Sequence, residues 1–177
     1  MRKMIWLFAL CCCVASAAMA GPNAGGVIVV HNTNITWSND LVLPPASPVP
    51  TCATMSNQIA LEAKKVWKVY AVFPLNSSPR LWTCGWGIGR SSVNYSGTEI
   101  IANDAPSAAV FSVKTEPTGP WPGDGTFIGM GFSDGARTAI VTELWWFAGR
   151  GYTYAGDLPT FSIIPHSAPT NQFFVDD

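Results

Sequence analysis

The stretch LWTCGWGIGR (residues 81–90) decides how the fold is interpreted, because glycine occupies every second position from Gly85 to Gly89. Successive side chains of a β-strand point to opposite faces, so this stretch predicts a strand with one bare face and one bulky face. The bulky face is the candidate core face, since burial stabilises by roughly 25 cal/mol per Å² of apolar surface. Its side chains are those of Trp82, Cys84, Trp86 and Ile88.

The same pattern returns in GTFIGMGF (125–132), where Gly129 and Gly131 lie opposite Ile128 and Met130. We predict that Gly85, Gly87 and Gly129 form a bare patch covered by an aromatic side chain of this protein, as in aromatic rescue of glycine. The candidate covers are Tyr70, Trp145 and Trp146. The alternative is an open platform for a ligand such as a sugar ring.

The remainder of the chain also has strand patterns, separated by Gly, Pro, Asn, Asp and Ser clusters. One stretch, 56–65, is helix-like, with Ser56 as a candidate cap, and PPASPVP (44–50) suits an extended loop. We predict an all-β antiparallel sandwich or barrel of eight or nine strands, forming one domain over 21–177. The strand candidates are 25–32, 35–43, 66–73, 80–89, 108–116, 125–132, 137–149 and 160–165.

The N-terminus has the three regions of a secretory signal peptide in order. Basic MRKM precedes a short apolar run, and Ala18-Met19-Ala20 fits a cleavage site before Gly21. The run is too short for a membrane span of about 20 residues. We expect a signal peptide over 1–20 and a secreted, periplasmic or extracellular product with no membrane span.

Export leaves a mature chain with eight Lys and Arg against eleven Asp and Glu, because Arg2 and Lys3 are removed. This balance argues against nucleic acid as a partner. Two cysteines remain, and an oxidising compartment favours a disulfide between Cys52 and Cys84. No cofactor or metal site is expected, since a metal would need further ligands near the single histidines, His31 and His166.

Seven tryptophans remain in the mature chain, which is many for its length. Adjacent Trp145 and Trp146 must face opposite sides of a strand, so one is predicted in the core and the other as cover or surface. Trp121 stands between prolines in a loop, where it could stack on carbohydrate or close the end of the sandwich. Trp121, Trp145, Trp146 and Tyr70 are therefore the candidate ligand-binding residues.

A hydrolase signature is also present in GFSDG (131–135), which matches G-x-S-x-G and is followed by Asp157 and His166. That motif requires a strand, a sharp turn and a helix. Here the following residues ARTAIVTELWWF are strand-like, and Ser-Asp-Gly is ordinary hairpin chemistry. We predict that Ser133 is a turn residue and that no catalytic residue is present.

AVFPLNSSPRL, WPGDGTFIGMGF, TELWWFAGRGYTY and FSIIPHSAPTNQFFVDD follow a NAGGVIVVH start. In this order they resemble a set of small exported bacterial proteins of uncharacterised function. Trp86-Gly87-Ile88 and Thr170-Asn171 depart from that pattern, so a ligand face could differ. The strand spacing is more distantly similar to cohesin-like and other immunoglobulin-like sandwiches. The resemblance implies an envelope or extracellular module and supplies no catalytic residues.

We therefore expect a secreted, non-catalytic β-sandwich with a structural or interaction role and a protein or glycan partner. The alternative is a carbohydrate-binding module, which would need two or more coplanar exposed aromatic rings. A serine hydrolase built on Ser133, Asp157 and His166 is the third hypothesis.

Overall fold

The computed structural model describes residues 21–38, 46–51, 53–56, 61–90, 97–107, 110–115, 127–152, 161–164 and 173–175. The described residues contain nine β-strands and no α-helix, which confirms the all-β class. Accordingly, none of them forms a helix that could span a membrane. The strands are β1 (Val27–Thr36), β2 (Lys65–Val72), β3 (Thr83–Arg90), β4 (Gly97–Asp104), β5 (Val110–Thr115), β6 (Phe127–Phe132), β7 (Val141–Tyr152), β8 (Phe161–Ile164) and β9 (Phe173–Val175).

The strands form two antiparallel sheets, as predicted for a β-sandwich. One sheet has the order β1-β2-β7-β4, and the other has the order β5-β6-β3-β8, with β9 also paired to β3. Five of the eight connections between these strands pass from one sheet to the other. The two sheets are therefore interleaved along the chain, and neither could bury its apolar face alone.

The strands β8 and β9 lie in line along one edge of β3. Ile164 pairs with Gly87, and Phe173 pairs with Gly85. The two strands thus pair with neighbouring parts of the same edge of β3, and residues 165–172 separate them in the sequence. This arrangement leaves β8 as the edge strand at the β1 side of the sandwich.

The core lies between the sheets and is built from the bulky faces that the sequence identified. Trp86, Ile88 and Cys84 are fully buried there, and Ile128 packs beside them from β6. The other sheet contributes a layer of equally buried side chains, which includes Trp67, Val69, Ala71, Leu144, Trp145 and Phe147. The predicted core faces of β3 and β6 are confirmed.

The bare face of β3 and β6 is partly filled from neighbouring strands of the same sheet. The ring of Phe111 in β5 lies where a Cβ on Gly131 would stand, so an aromatic ring covers that glycine, which is not one of the three in the predicted patch. Gly85 lies directly opposite Gly129, and Gly87 lies opposite Phe127. A cover over these three glycines stays a prediction.

The three aromatic residues offered as covers do not cover this face. Tyr70, Trp145 and Trp146 belong to the four-stranded sheet, on the far side of the core from the glycines. A β-bulge in β7 opposite Val69 and Tyr70 inserts Leu144. Trp145 points into the core, while Trp146 packs on the outer face under Trp37, with ring centroids 5.4 Å apart. The two tryptophans face opposite sides of β7, as predicted, but Trp146 is neither a cover nor a surface residue, because it is 3% exposed beneath Trp37.

Several strand bounds differ from the predicted ones. The stretches 25–32 and 35–43 are not two strands in their described part, because β1 runs through both to Thr36 with an irregularity after Asn32. The helix-like stretch 56–65 has no helix at 61–65, where a bridge and a bend lead into β2. Sequence reasoning missed β4 and β9.

Candidate functional site

Three of the four candidate ligand-binding residues are buried. Tyr70, Trp145 and Trp146 are each no more than 3% exposed, so they do not offer the exposed, coplanar rings that stacking on a sugar requires. Trp121 lies outside the described residues.

Ser133 is exposed and lies in the turn that directly follows β6, within the segment that connects β6 to β7. In the same turn Asp134 forms an ion pair with Arg137 at 2.8 Å, and the Arg137 guanidinium lies 4.4 Å from the ring centre of Phe132. No helix follows this turn, which matches the predicted hairpin context and not the nucleophile elbow. Asp157 and His166 lie outside the described residues.

Cys84 is a free thiol in the structure and is fully buried on the core face of β3. Burial raises the pKa of this thiol well above its usual range. The predicted disulfide with Cys52 is therefore not supported, and Cys52 lies outside the described residues. Counting the thiols of the denatured, unreduced protein tests the bond directly.

A polar cluster, formed by Lys68, Tyr70, Glu143 and His31, lies on the outer face of the four-stranded sheet. The alternation of β2 places Lys68 and Tyr70 on this face. The Lys68 side chain is 4% exposed, and its Nζ donates to Glu143 Oε2 at 2.8 Å. Glu143 is the register partner of Tyr70 across the β7 bulge. A buried ammonium group loses its hydration, so this single carboxylate is what makes its burial tolerable.

The other members of the polar cluster are uncharged. Burial raises the pKa of the Tyr70 hydroxyl, and the Glu143 charge adds to that rise. His31 is the register partner of Lys68, and burial lowers its pKa. Its Nδ1 accepts the Ser56 N–H at 3.0 Å, which assigns the proton of the neutral ring to Nε2.

Ser56 is held to β1 by a second hydrogen bond, since its carbonyl accepts the Asn32 N–H at 2.7 Å. Ser56 therefore bonds to the edge of β1 as a strand residue would. One of its two hydrogen bonds is to the His31 side chain, and the other is to the backbone of Asn32. The polar cluster thus positions the segment that precedes β2, and its buried groups are not presented to a substrate.

A groove opens between the edge strands β1 and β8, at one side of the sandwich. It has a volume of about 450 Å³. Ile28 and Val30 face it from the inner side of β1, Ile163 faces it from β8, and Met55 lies at its wall. The side chains in this lining carry no charge, so the groove suits an uncharged occupant.

The described residues contain no group of three or more His, Cys, Asp or Glu side chains placed to hold a metal ion. No family model, curated protein or solved structure matches the chain.

Neither the polar cluster nor the groove was identified from the sequence. A signal for the cluster was present, since Lys68 interrupts the apolar run VWKVYAVF and His31 ends the run VIVV. A lysine at a buried strand position predicts that a carboxylate lies next to it, but the sequence does not indicate which carboxylate that is. The groove has no sequence signal of its own, because its two walls belong to different sheets.

Proposed function

We propose that this protein is an exported, non-catalytic β-sandwich with an interaction role in the envelope or extracellular space. One observation carries the proposal. Lys68 is paired with Glu143, and His31 accepts from Ser56, while the groove between β1 and β8 is open and lined by uncharged side chains. Such a surface suits binding of a partner better than proton or nucleophile chemistry.

The export part of the proposal rests on residues 1–20, whose regions follow the order of a cleavable signal. The resemblance to small exported bacterial proteins supports the same localisation. An immunoglobulin-like or cohesin-like architecture is supported by the order β1-β2-β7-β4. Immunoglobulin constant domains have their first, second, fifth and fourth strands side by side in one sheet. If the hairpin β5–β6 is counted as an insertion, β7 is the fifth strand of this chain and the order is the same.

A carbohydrate-binding module is the second candidate, and Phe111 is the observation that favours it. Its side chain is 56% exposed on the glycine face, beside Gly131. An exposed ring over a bare strand face supplies one of the two or more stacking surfaces that such a module would need. A glycan array probed with the mature chain and with Phe111→Ala tests this candidate, because a glycan retained only by the unsubstituted chain would establish it.

The interaction role is tested by chemical cross-linking of the exported protein in its native environment. A reproducible protein partner supports the role. Intact mass of the exported material checks cleavage after Ala20. A fluorophosphonate probe, which labels activated serines, completes the test. Labelling at Ser133 would overturn the non-catalytic assignment, and Ser133→Ala is the matched control.

A further inference from the structure

The groove between β1 and β8 has a backbone edge as well as an apolar lining. Asn32 donates its N–H to Ser56, so its backbone groups point away from β2. In an antiparallel ladder, residues alternate between pairs that exchange both hydrogen bonds and pairs that exchange none. The register of β1 against β2 is regular from Val27 to Asn32. Ile28 and Val30 therefore also direct their N–H and C=O groups outward.

These outward groups have no hydrogen-bond partner among the described residues. The backbone bonds outside the sheet ladders include Asn32 but not Ile28 or Val30. An unpaired strand edge is a ready template for another strand. The same two residues place their side chains inward, against the groove. One wall of the groove thus offers backbone donors and acceptors together with apolar side chains.

Ser56 of the same chain already forms hydrogen bonds at one end of this edge, as a residue of an added strand would. Ser56 accepts from the Asn32 N–H and donates to His31, and Met55 beside it lines the groove. The edge is continuous from Asn32 through Val30 to Ile28. An occupant that continues along it needs backbone N–H and C=O groups at the spacing of an extended chain.

We propose that the β1–β8 groove binds an extended peptide segment of a partner protein, which adds to β1 as a further antiparallel strand. The segment presents apolar, uncharged side chains at every second position, because an unpaired charge buried against Ile28, Val30 and Ile163 would be costly. Backbone hydrogen bonds supply affinity and the alternate side chains supply specificity, as in other strand-addition complexes. This inference rests on the proposed interaction role.

The aromatic residue nearest the groove favours a peptide over a sugar. The Phe161 ring is 6% exposed and stacks on Trp67 with ring centroids 5.5 Å apart. It also meets Phe147 edge-on at 5.1 Å. Its faces are committed to the core, so they do not provide a platform for a sugar ring.

The test uses a capped synthetic peptide in which Val alternates with Thr, together with the unsubstituted mature protein. A strand that pairs antiparallel with Ile28 and Val30 directs the N–H groups of its inward residues toward β1. The matched control peptide is therefore methylated on the backbone nitrogen of each Val. We expect the first peptide to bind in calorimetry and the methylated one not to bind.

Amide hydrogen exchange gives a residue-level result without any substitution. In the free protein, the Ile28 and Val30 amides should exchange faster than those of Val29 and His31, which bond to β2. The peptide should slow Ile28 and Val30 by roughly tenfold when about nine-tenths of the protein is bound. Val29 and His31 should not respond.

A pair of variants tests the apolar wall. Val30→Lys places a charge in the groove and should abolish peptide binding. Val27→Lys is the control on the same strand, since Val27 is 51% exposed and is not part of the lining. If Val30→Lys fails to fold by near-ultraviolet circular dichroism, exchange in the unsubstituted protein decides the question.

The inference is overturned by no binding of the alternating peptide, by equal binding of the methylated peptide, or by protection that avoids Ile28 and Val30. Protection of these amides that rises with protein concentration alone would assign the edge to a second copy of this chain, and would also overturn it. A cross-linked partner whose capture survives Val30→Lys would retain the interaction role and reject strand addition. No partner at all, despite peptide binding, would reject the role instead.

Discussion

Replacing Glu143 with Gln should destabilise the protein strongly, because it leaves the Lys68 charge buried without a counter-charge. Gln keeps the shape of the side chain, and the lost contact is the 2.8 Å ion pair from Lys68 Nζ. Breaking a buried pair from one side costs about 3–5 kcal/mol. The Glu143 side chain is 26% exposed, so water reaches that end of the pair and the lower end of the range applies.

A loss of about 3 kcal/mol corresponds to a fall in Tm of roughly 6–12 °C for a domain of this size. Differential scanning calorimetry measures it, with Glu99→Gln as the matched control. Glu99 pairs with Arg150 at 2.7 Å, but both side chains are more than one-third exposed. Such surface pairs contribute about 0–1 kcal/mol.

The double variant Lys68→Met/Glu143→Gln separates the pair from the individual side chains. It removes both charges, and replacing a buried pair by neutral residues of similar size is often close to neutral. We therefore expect the double variant to be more stable than Glu143→Gln alone, with a favourable coupling energy. A Glu143→Gln variant no less stable than Glu99→Gln, or strictly additive losses in the double variant, would refute this account of the polar cluster.

The free energy of unfolding should fall as pH drops below about 6.5, the ordinary histidine value, because burial lowers the pKa of His31 and the unfolded chain then binds the proton more readily. His31→Gln keeps an acceptor for the Ser56 N–H and should make the free energy of unfolding depend less on pH. The same pH dependence in His31→Gln and in the unsubstituted protein would contradict the role given to His31. Gly131→Ala displaces the Phe111 ring and should lower the free energy of unfolding by about 1 kcal/mol, a small loss because that exposed ring can rotate away. Urea unfolding measures it, and the same substitution in a Phe111→Ala background should cause no loss. Ser133→Ala should change stability by no more than about 0.5 kcal/mol, and a larger loss in the same assay would indicate a structural role beyond the turn.

Two strands that the sequence did not reveal show where local patterns fail. The strand β4 reads GTEIIAND, whose polar residues resemble a loop, and its bulge between Ile100 and Ala102 breaks the alternation. The strand β9 has three residues, too few to establish a period. Both are strands because β7 and β3 offer them hydrogen-bonding edges, which is a property of the assembled sheets.

The sequence by itself determined the fold class and the core face of each patterned strand. The alternation around Trp86 and Ile128 is local, because a strand with period two buries one face whichever strand becomes its neighbour. The burial of Cys84 and the turn position of Ser133 were equally open to local reasoning, since both depend on a few adjacent residues.

Only the tertiary structure decided which residues meet. Lys68 finds Glu143 from 75 positions away, and Ser56 reaches His31 and Asn32 from a segment with no strand pattern. These contacts follow from the order of strands in the two sheets, and that order is set by the free energy of burying both sheets against one core. The groove exists for the same reason, because β1 and β8 became edges of opposite sheets only when the sandwich assembled.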